Sequence, residues 1–289
     1  MKNLVLVATM ATFATSALAD LSITGKYKGK ISKDSTTQNY KYNGDLDLTI
    51  KGRTGDTQMT STFENIGKNG STDVTVKQVY IETTVVEGID FKGGTYKSKN
   101  GNGLLQENTT KNRMKLSTNV GGISASVTQV SGESKQSYTL STNIGPATVT
   151  VQDAFEDTRF VTVQSDLAGV SLLLEAQEAS AGKTNIGVQA GVTIGNVNLT
   201  GVYVDVQDGT GIFQTDGIVD DISDANNGST VTGIVATTET GLGKVTGKYI
   251  NKNDLNIIVG KVNVGNWEFG ASKTENTDAV FDASITVKF

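Results

Sequence analysis

Basic residues recur at every second position. Lys26, Lys28 and Lys30 do so in LSITGKYKGKI, Lys51 and Arg53 in DLDLTIKGR, and Arg113 and Lys115 in KNRMKLS. Lys92 and Lys288 stand singly in similar alternating surroundings. A period of two sets such residues on one face of a β-strand. The same projection puts Asp45, Asp47, Glu64, Glu82, Glu268 and Asp282 on that face. The chemistry open to such a set is electrostatic: cations opposed by carboxylates across a gap order water and bias the passage of ions.

Other chemistries are excluded. The chain has no His and no Cys. That removes a zinc site, a Ser-His-Asp triad and thiol catalysis. TGLGK at 240–244 lacks the full phosphate-loop pattern, and no helix follows it. The acidic stretch 208–228 carries Asp208, Asp216, Asp220, Asp221 and Asp224, but the spacing matches no EF-hand. It reads as a solvated loop rather than a calcium site. A formal net charge of −5 without a basic cluster is unsuited to nucleic acid. No enzyme activity and no cofactor is expected.

The elements that must position these residues are strands. Period-2 alternation runs through the chain in segments of about ten residues. NIGVQAGVTI sets Ile186, Val188, Ala190, Val192 and Ile194 against Asn185, Gly187, Gln189, Gly191 and Thr193. VSLLLEAQ sets Val170, Leu172 and Leu174 against Ser171, Glu175 and Gln177. Tight turns such as Gly121-Gly122 and Gly265-Asn266 alternate with longer polar links such as 98–110 and 208–229. Short and long connections that swap in this way describe an up-and-down meander with the tight turns at one end. The segments number about 18. Around 156–164 and 252–270 the alternation slips phase, as a bulge would cause.

The first residues, MKNLVLVATMATFATSALAD, read as a secretory signal peptide of residues 1–19, cut after Ala19 by the A-x-A rule. Residues 20–289 then form a single domain. A strand of ~10 residues tilted ~45° covers ~24 Å of height, the apolar band of an outer-membrane barrel. With 16–18 strands the cylinder is roughly 30–40 Å across, too wide for side chains to fill. The fold class expected is an all-β transmembrane antiparallel barrel of 16–18 strands with a water-filled lumen. An exported β-rich binding or adhesion protein, or a receptor barrel without general pore activity, stays as the alternative.

The signal peptide, the first mature strand LSITGKYKGK and the C-terminal FDASITVKF resemble those of Gram-negative general porins, most of all the small porins of alphaproteobacteria. The resemblance implies a 16-stranded homotrimer in the outer membrane, set among lipopolysaccharide and passing ions and small hydrophilic solutes. It implies that the assembly machinery reads the terminal Phe289. It further implies that the third external loop folds into the lumen. Here that segment is SKNGNGLLQENTT, 98–110, shorter than in the family and carrying one carboxylate, Glu107. Lys51, Arg53, Arg113 and Lys115 are expected to line the narrow zone opposite it, with Glu107 as counter-charge. The full pore lining expected is Lys26, Lys28, Lys51, Arg53, Lys92, Glu107, Arg113, Lys115 and Lys288, with weak anion preference.

Overall fold

The computed structural model describes residues 20–33, 40–66, 74–101, 104–105, 107–154, 158–178, 182–207 and 228–288. Residues 1–19, expected to be a signal peptide, the acidic stretch 208–227 and Phe289 lie outside the described residues. Strands follow one another as the alternation dictates: β1 (Asp20–Lys33), β2 (Tyr40–Thr54), β3 (Thr57–Ile66), β4 (Thr75–Val86), β5 (Ile89–Asn100), β6 (Glu107–Val120), β7 (Ile123–Val130), β8 (Gln136–Ile144) and β9 (Ala147–Ala154). The second half comprises β10 (Thr158–Leu167), β11 (Val170–Glu178), β12 (Thr184–Ile194), β13 (Val197–Val206), β14 (Ser229–Thr240), β15 (Gly243–Lys252), β16 (Leu255–Val264), β17 (Trp267–Thr274) and β18 (Val280–Lys288). No helix among the described residues is long and apolar enough to cross a membrane, which says nothing of a barrel.

Each strand pairs antiparallel with its sequence neighbours, and β1 pairs with both β2 and β18. The 18-stranded sheet is therefore closed, and no strand keeps a free edge. Its radius is 18 Å. The strand count matches that of the alternating segments, not the 16 that the porin resemblance implies.

The turns at one end are short because their residues accept left-handed backbone. Gly121 and Gly122 have φ of 59° and 81°, as a two-residue hairpin requires of both central positions. One phase slip has a different cause from the bulge expected. At 252–270 the chain turns at Asn253 and Asp254, with φ of 50° and 65°, and β16 begins anew. Asn and Asp tolerate this conformation better than other side chains, so a tight turn sits at the end otherwise bearing the longer links. The register shifts lie elsewhere, between β2 and β3, β3 and β4, and β4 and β5.

Inside and outside are told apart by burial. On β11 Glu175 is 2% exposed while Leu174 is 47% exposed, and on β13 Val204 is 0% exposed while Tyr203 is 42%. The outer face of a lone barrel has nothing to cover it, so the buried set faces inward. Following the register from strand to strand carries that face around the whole cylinder.

Candidate functional site

The inner wall has two unlike sectors. From β10 to β16 it presents Phe160, Leu173, Val202, Val204, Val206, Val231, Val235, Ile250, Ile257 and Val259, one contiguous buried apolar cluster. Such a patch is unfavourable against water and must be covered. Leu104 and Leu105, from the β5–β6 connection, belong to the same cluster and are 2% and 0% exposed.

The β5–β6 hairpin therefore enters the lumen and reaches the far wall. Two backbone N–H groups, of Leu104 and Leu105, donate to Glu175 Oε2 at 2.8 and 2.7 Å. Thr162 Oγ1 donates to Glu175 Oε1 at 3.2 Å, and Gly101 N–H donates to Gln152 Oε1 at 3.2 Å. Three donors thus converge on one buried carboxyl group and satisfy its oxygens. Gly187, opposite Glu175 in register, leaves the space: a Cβ there would stand 2.6 Å from Leu104 Cβ. Above, Asn185 Nδ2 donates to Gln177 Oε1 and Gln207 N–H donates to Asn185 Oδ1, each at 2.8 Å, tying β11, β12 and the end of β13 together.

The second sector, β2 to β6, is charged and aromatic. Lys92 Nζ lies 2.9 Å from Glu82 Oε1, 3.9 Å from the centre of the Tyr80 ring and 4.7 Å from that of Tyr96. The two tyrosines meet edge to face at 5.7 Å. Arg113 stands 5.8 Å from the centre of the Tyr96 ring, and its Nη2 donates to the Thr109 carbonyl at 2.8 Å and to the Thr109 hydroxyl. The ring quadrupole of a tyrosine attracts a cation set against its face, and Arg113 beside Tyr96 is only 2% exposed. Gly94, with φ of 126°, pairs with both Tyr80 and Arg113, and a Cβ on it would come within 2.4 Å of the Val79 carbonyl.

The expected pore-lining residues share the inner face but fall into separate groups. Arg53, Lys92 and Lys115 line one cavity of about 510 Å³ together with Glu82, Asp90 and Asp56. Lys26 and Lys288, paired in register, line another of about 560 Å³ with Asp47 and Glu64. Lys28 sits between Thr286 and Asp45, and Lys51 between Ser22 and Thr60. The basic wall is thus interleaved with acids rather than contiguous, as Lys30 bridging Asp282 at 2.6 Å also illustrates. Glu107 opens β6 opposite Asn100, and of it only the strand position is described.

Glu175, Gly187, Leu104, Leu105, Tyr80 and Tyr96 were not among the expected residues. A signal for the leucines existed: an apolar pair inside the otherwise polar SKNGNGLLQENTT. Glu175 alternates with leucines in VSLLLEAQE, a carboxylate in an apolar strand.

No protein-family model matches the chain, and no curated protein matches it. Solved structures do. Pseudomonas aeruginosa OpdL matches with a TM-score of 0.65 at 9% identity, over 94% of this chain and 99% of its own. Pseudomonas aeruginosa OccK5 (OpdH) matches at 0.64 and 9%, over 94% and 98%. Pseudomonas aeruginosa OccK2 (OpdF), solved in complex with glucuronate, matches at 0.66 and 10%, over 94% and 98%. At these identities the likeness is one of fold: an 18-stranded barrel similar to those of Pseudomonas outer-membrane channels.

Proposed function

We propose that the chain is an outer-membrane channel through which ions and small hydrophilic solutes diffuse passively, with weak preference for anions. The observation that carries it is a closed 18-stranded barrel whose outer face is apolar and exposed while half of its inner face is polar. Leu174, Ile186, Tyr203, Ile234, Ile258, Phe269 and Phe281 all stand exposed on the outside. In water an apolar surface of that extent is unfavourable; lipid removes the cost. Ser, Thr and charged side chains inside suit a hydrated lumen. Stacked Trp267 and Phe269, 6.1 Å apart beside a tight turn, fit an interfacial girdle.

Support for anion preference comes from Lys92, Arg113 and Lys115 on β5 and β6, the strands that carry the lumen-crossing hairpin, with Arg53 of β2 lining the same cavity as Lys92 and Lys115. A solute with a carboxylate, such as the glucuronate held by OccK2, fits such a sector. The reading includes export after Ala19 and residence as a homotrimer among lipopolysaccharide in a Gram-negative outer membrane. It includes Phe289 as the signal read by the assembly machinery, so its deletion reduces the yield of heat-modifiable barrel; an unchanged yield at normal expression contradicts that part.

Planar-bilayer recording under a KCl gradient tests the function. Discrete conductance with a reversal potential on the anion side is expected. Clear cation selectivity overturns the anion preference, and absence of conductance selects the receptor barrel instead.

A further inference from the structure

Between the charged and the apolar sectors the inner wall carries hydroxyls and amides instead. Ser126 of β7, Thr139 of β8 and Gln152 of β9 lie on one rung, and Ser124, Ser141 and Thr150 on the next. None of the inward side chains on these three strands is charged. At the tight-turn end this neutral wall opens into a cavity of about 340 Å³ between β9 and β12, within the ~300–1,000 Å³ of small-molecule sites. Thr148, Gln164, Leu173 and Gln189 are successive register partners and form one rung of it. The carboxamides of Gln164 and Gln189 thus rise from backbones ~10 Å apart, on either side of Leu173. Asp166 and Ser171 are paired on the next rung, toward the turn. Gly191, opposite Ser171, keeps that rung open: a Cβ there would stand 2.6 Å from Ser171 Oγ.

The hydrogen bonds already made decide what the cavity can offer. Thr148 Oγ1 donates to Asn143 Oδ1 at 2.8 Å, and Ser171 Oγ donates to the Gly191 carbonyl at 3.4 Å. Their lone pairs remain as acceptors, beside the carboxylate of Asp166. The two glutamine carboxamides supply donors as well as acceptors. Among the described residues no lysine or arginine lines the cavity. An anion therefore finds no counter-charge here and meets Asp166. A solute that both donates and accepts at several points, without charge, matches the set. We propose that this cavity is a binding subsite for neutral polyols and monosaccharides, separate from the basic sector. The proposal rests on the channel reading above and names a second solute class for it. Asp166, Gln164 and Gln189 touch the solute. A hydroxyl that donates to a carboxylate makes the stronger kind of hydrogen bond, so Asp166 contributes most.

The test is saturation-transfer NMR of sorbitol and of glucose on the full-length barrel in detergent, with heat-modifiable gel mobility showing that each variant is folded. Both solutes are expected to bind the parent. Asp166→Asn, and separately Gln164→Leu with Gln189→Leu, should each weaken that binding about tenfold. Thr139→Val, on the neutral wall but outside the cavity, should leave it unchanged. No binding to the parent, or equal binding to the parent and to both folded variants, overturns the subsite. Two further probes test the solute class. If Asp166→Asn weakens gluconate more than sorbitol, the cavity takes anions; if ethylammonium displaces sorbitol at equal concentration, it takes cations. Either result overturns the polyol reading. Binding in detergent does not depend on conduction, so the two readings fail separately. A parent that passes no current in planar bilayers yet binds sorbitol through Asp166 loses the channel reading and keeps the subsite. One that conducts but binds neither solute keeps the channel and loses the subsite.

Discussion

Along β5 and β6 the inner face presents Lys92, Gly94, Tyr96, Lys111, Arg113 and Lys115; along β13 to β16 it presents Val202, Val204, Val206, Val231, Val235, Ile250, Ile257 and Val259. Both sectors are made by the same period-2 strands, and both alternate with apolar residues outside. They differ in what their inner side chains need. Cations and tyrosines can meet water or one another. The valines and isoleucines must be covered, and Leu104 and Leu105, carried over on the charged sector's own hairpin, join their cluster. The asymmetry of the wall therefore gives the hairpin a destination, and Glu175 and Gly187 refine where on that wall it docks.

The contrast can be broken most strongly by truncating the covered sector. Ile250→Ala removes a side chain that is 0% exposed, and should cost about 2–5 kcal/mol in urea unfolding of the barrel. Thr128→Ala, on the inner face of β7, should stay within about 0.5 kcal/mol. Equal losses would show that the inner wall is uniform. The next effect is one of backbone. Gly94→Ala meets the Val79 carbonyl at 2.4 Å and keeps a φ of 126°, which should cost about 1–3 kcal/mol. At Gly247 and Gly260 a Cβ meets nothing within 4 Å, so Ala there should change stability by less than about 1 kcal/mol.

Selectivity sharpens the comparison further. Lys115→Glu adds negative charge to the cavity it shares with Lys92 and Arg53, and should shift the reversal potential toward cations. Lys244→Glu, at the tight-turn end of β15 and paired with Glu239 and Asn263, should shift it less. A larger shift from Lys244 would place the narrow zone elsewhere. The smallest effect expected is Lys30→Ala. Its ion pair with Asp282 spans 2.6 Å but both side chains are solvated, so the loss should be only ~0.2–1 kcal/mol.

The sequence made the strand number and the closure of β18 on β1 legible, because the alternation repeats from one segment to the next along the whole barrel. It concealed the apolar inner sector. In VNLTGVYVDV both faces of β13 carry apolar residues, outward Val197, Leu199 and Tyr203, inward Val202, Val204 and Val206. A rule of apolar outside and polar inside cannot sort such a strand. Glu175 and Gly187 gain their meaning only from a segment some seventy residues earlier in the chain, the hydrogen bonds spanning 71 and 70 positions. The turn at Asn253 and Asp254 hid for a different reason: two residues of left-handed backbone look like a slip of phase when read as one long strand.

The central claim is that a wide barrel is narrowed by its own hairpin. Single-channel conductance of the purified parent protein in a planar bilayer tests it most directly. Discrete steps well below those of a water-filled cylinder of 18 Å radius are predicted. Steps as large as that cylinder would carry, or none at all, would contradict the account.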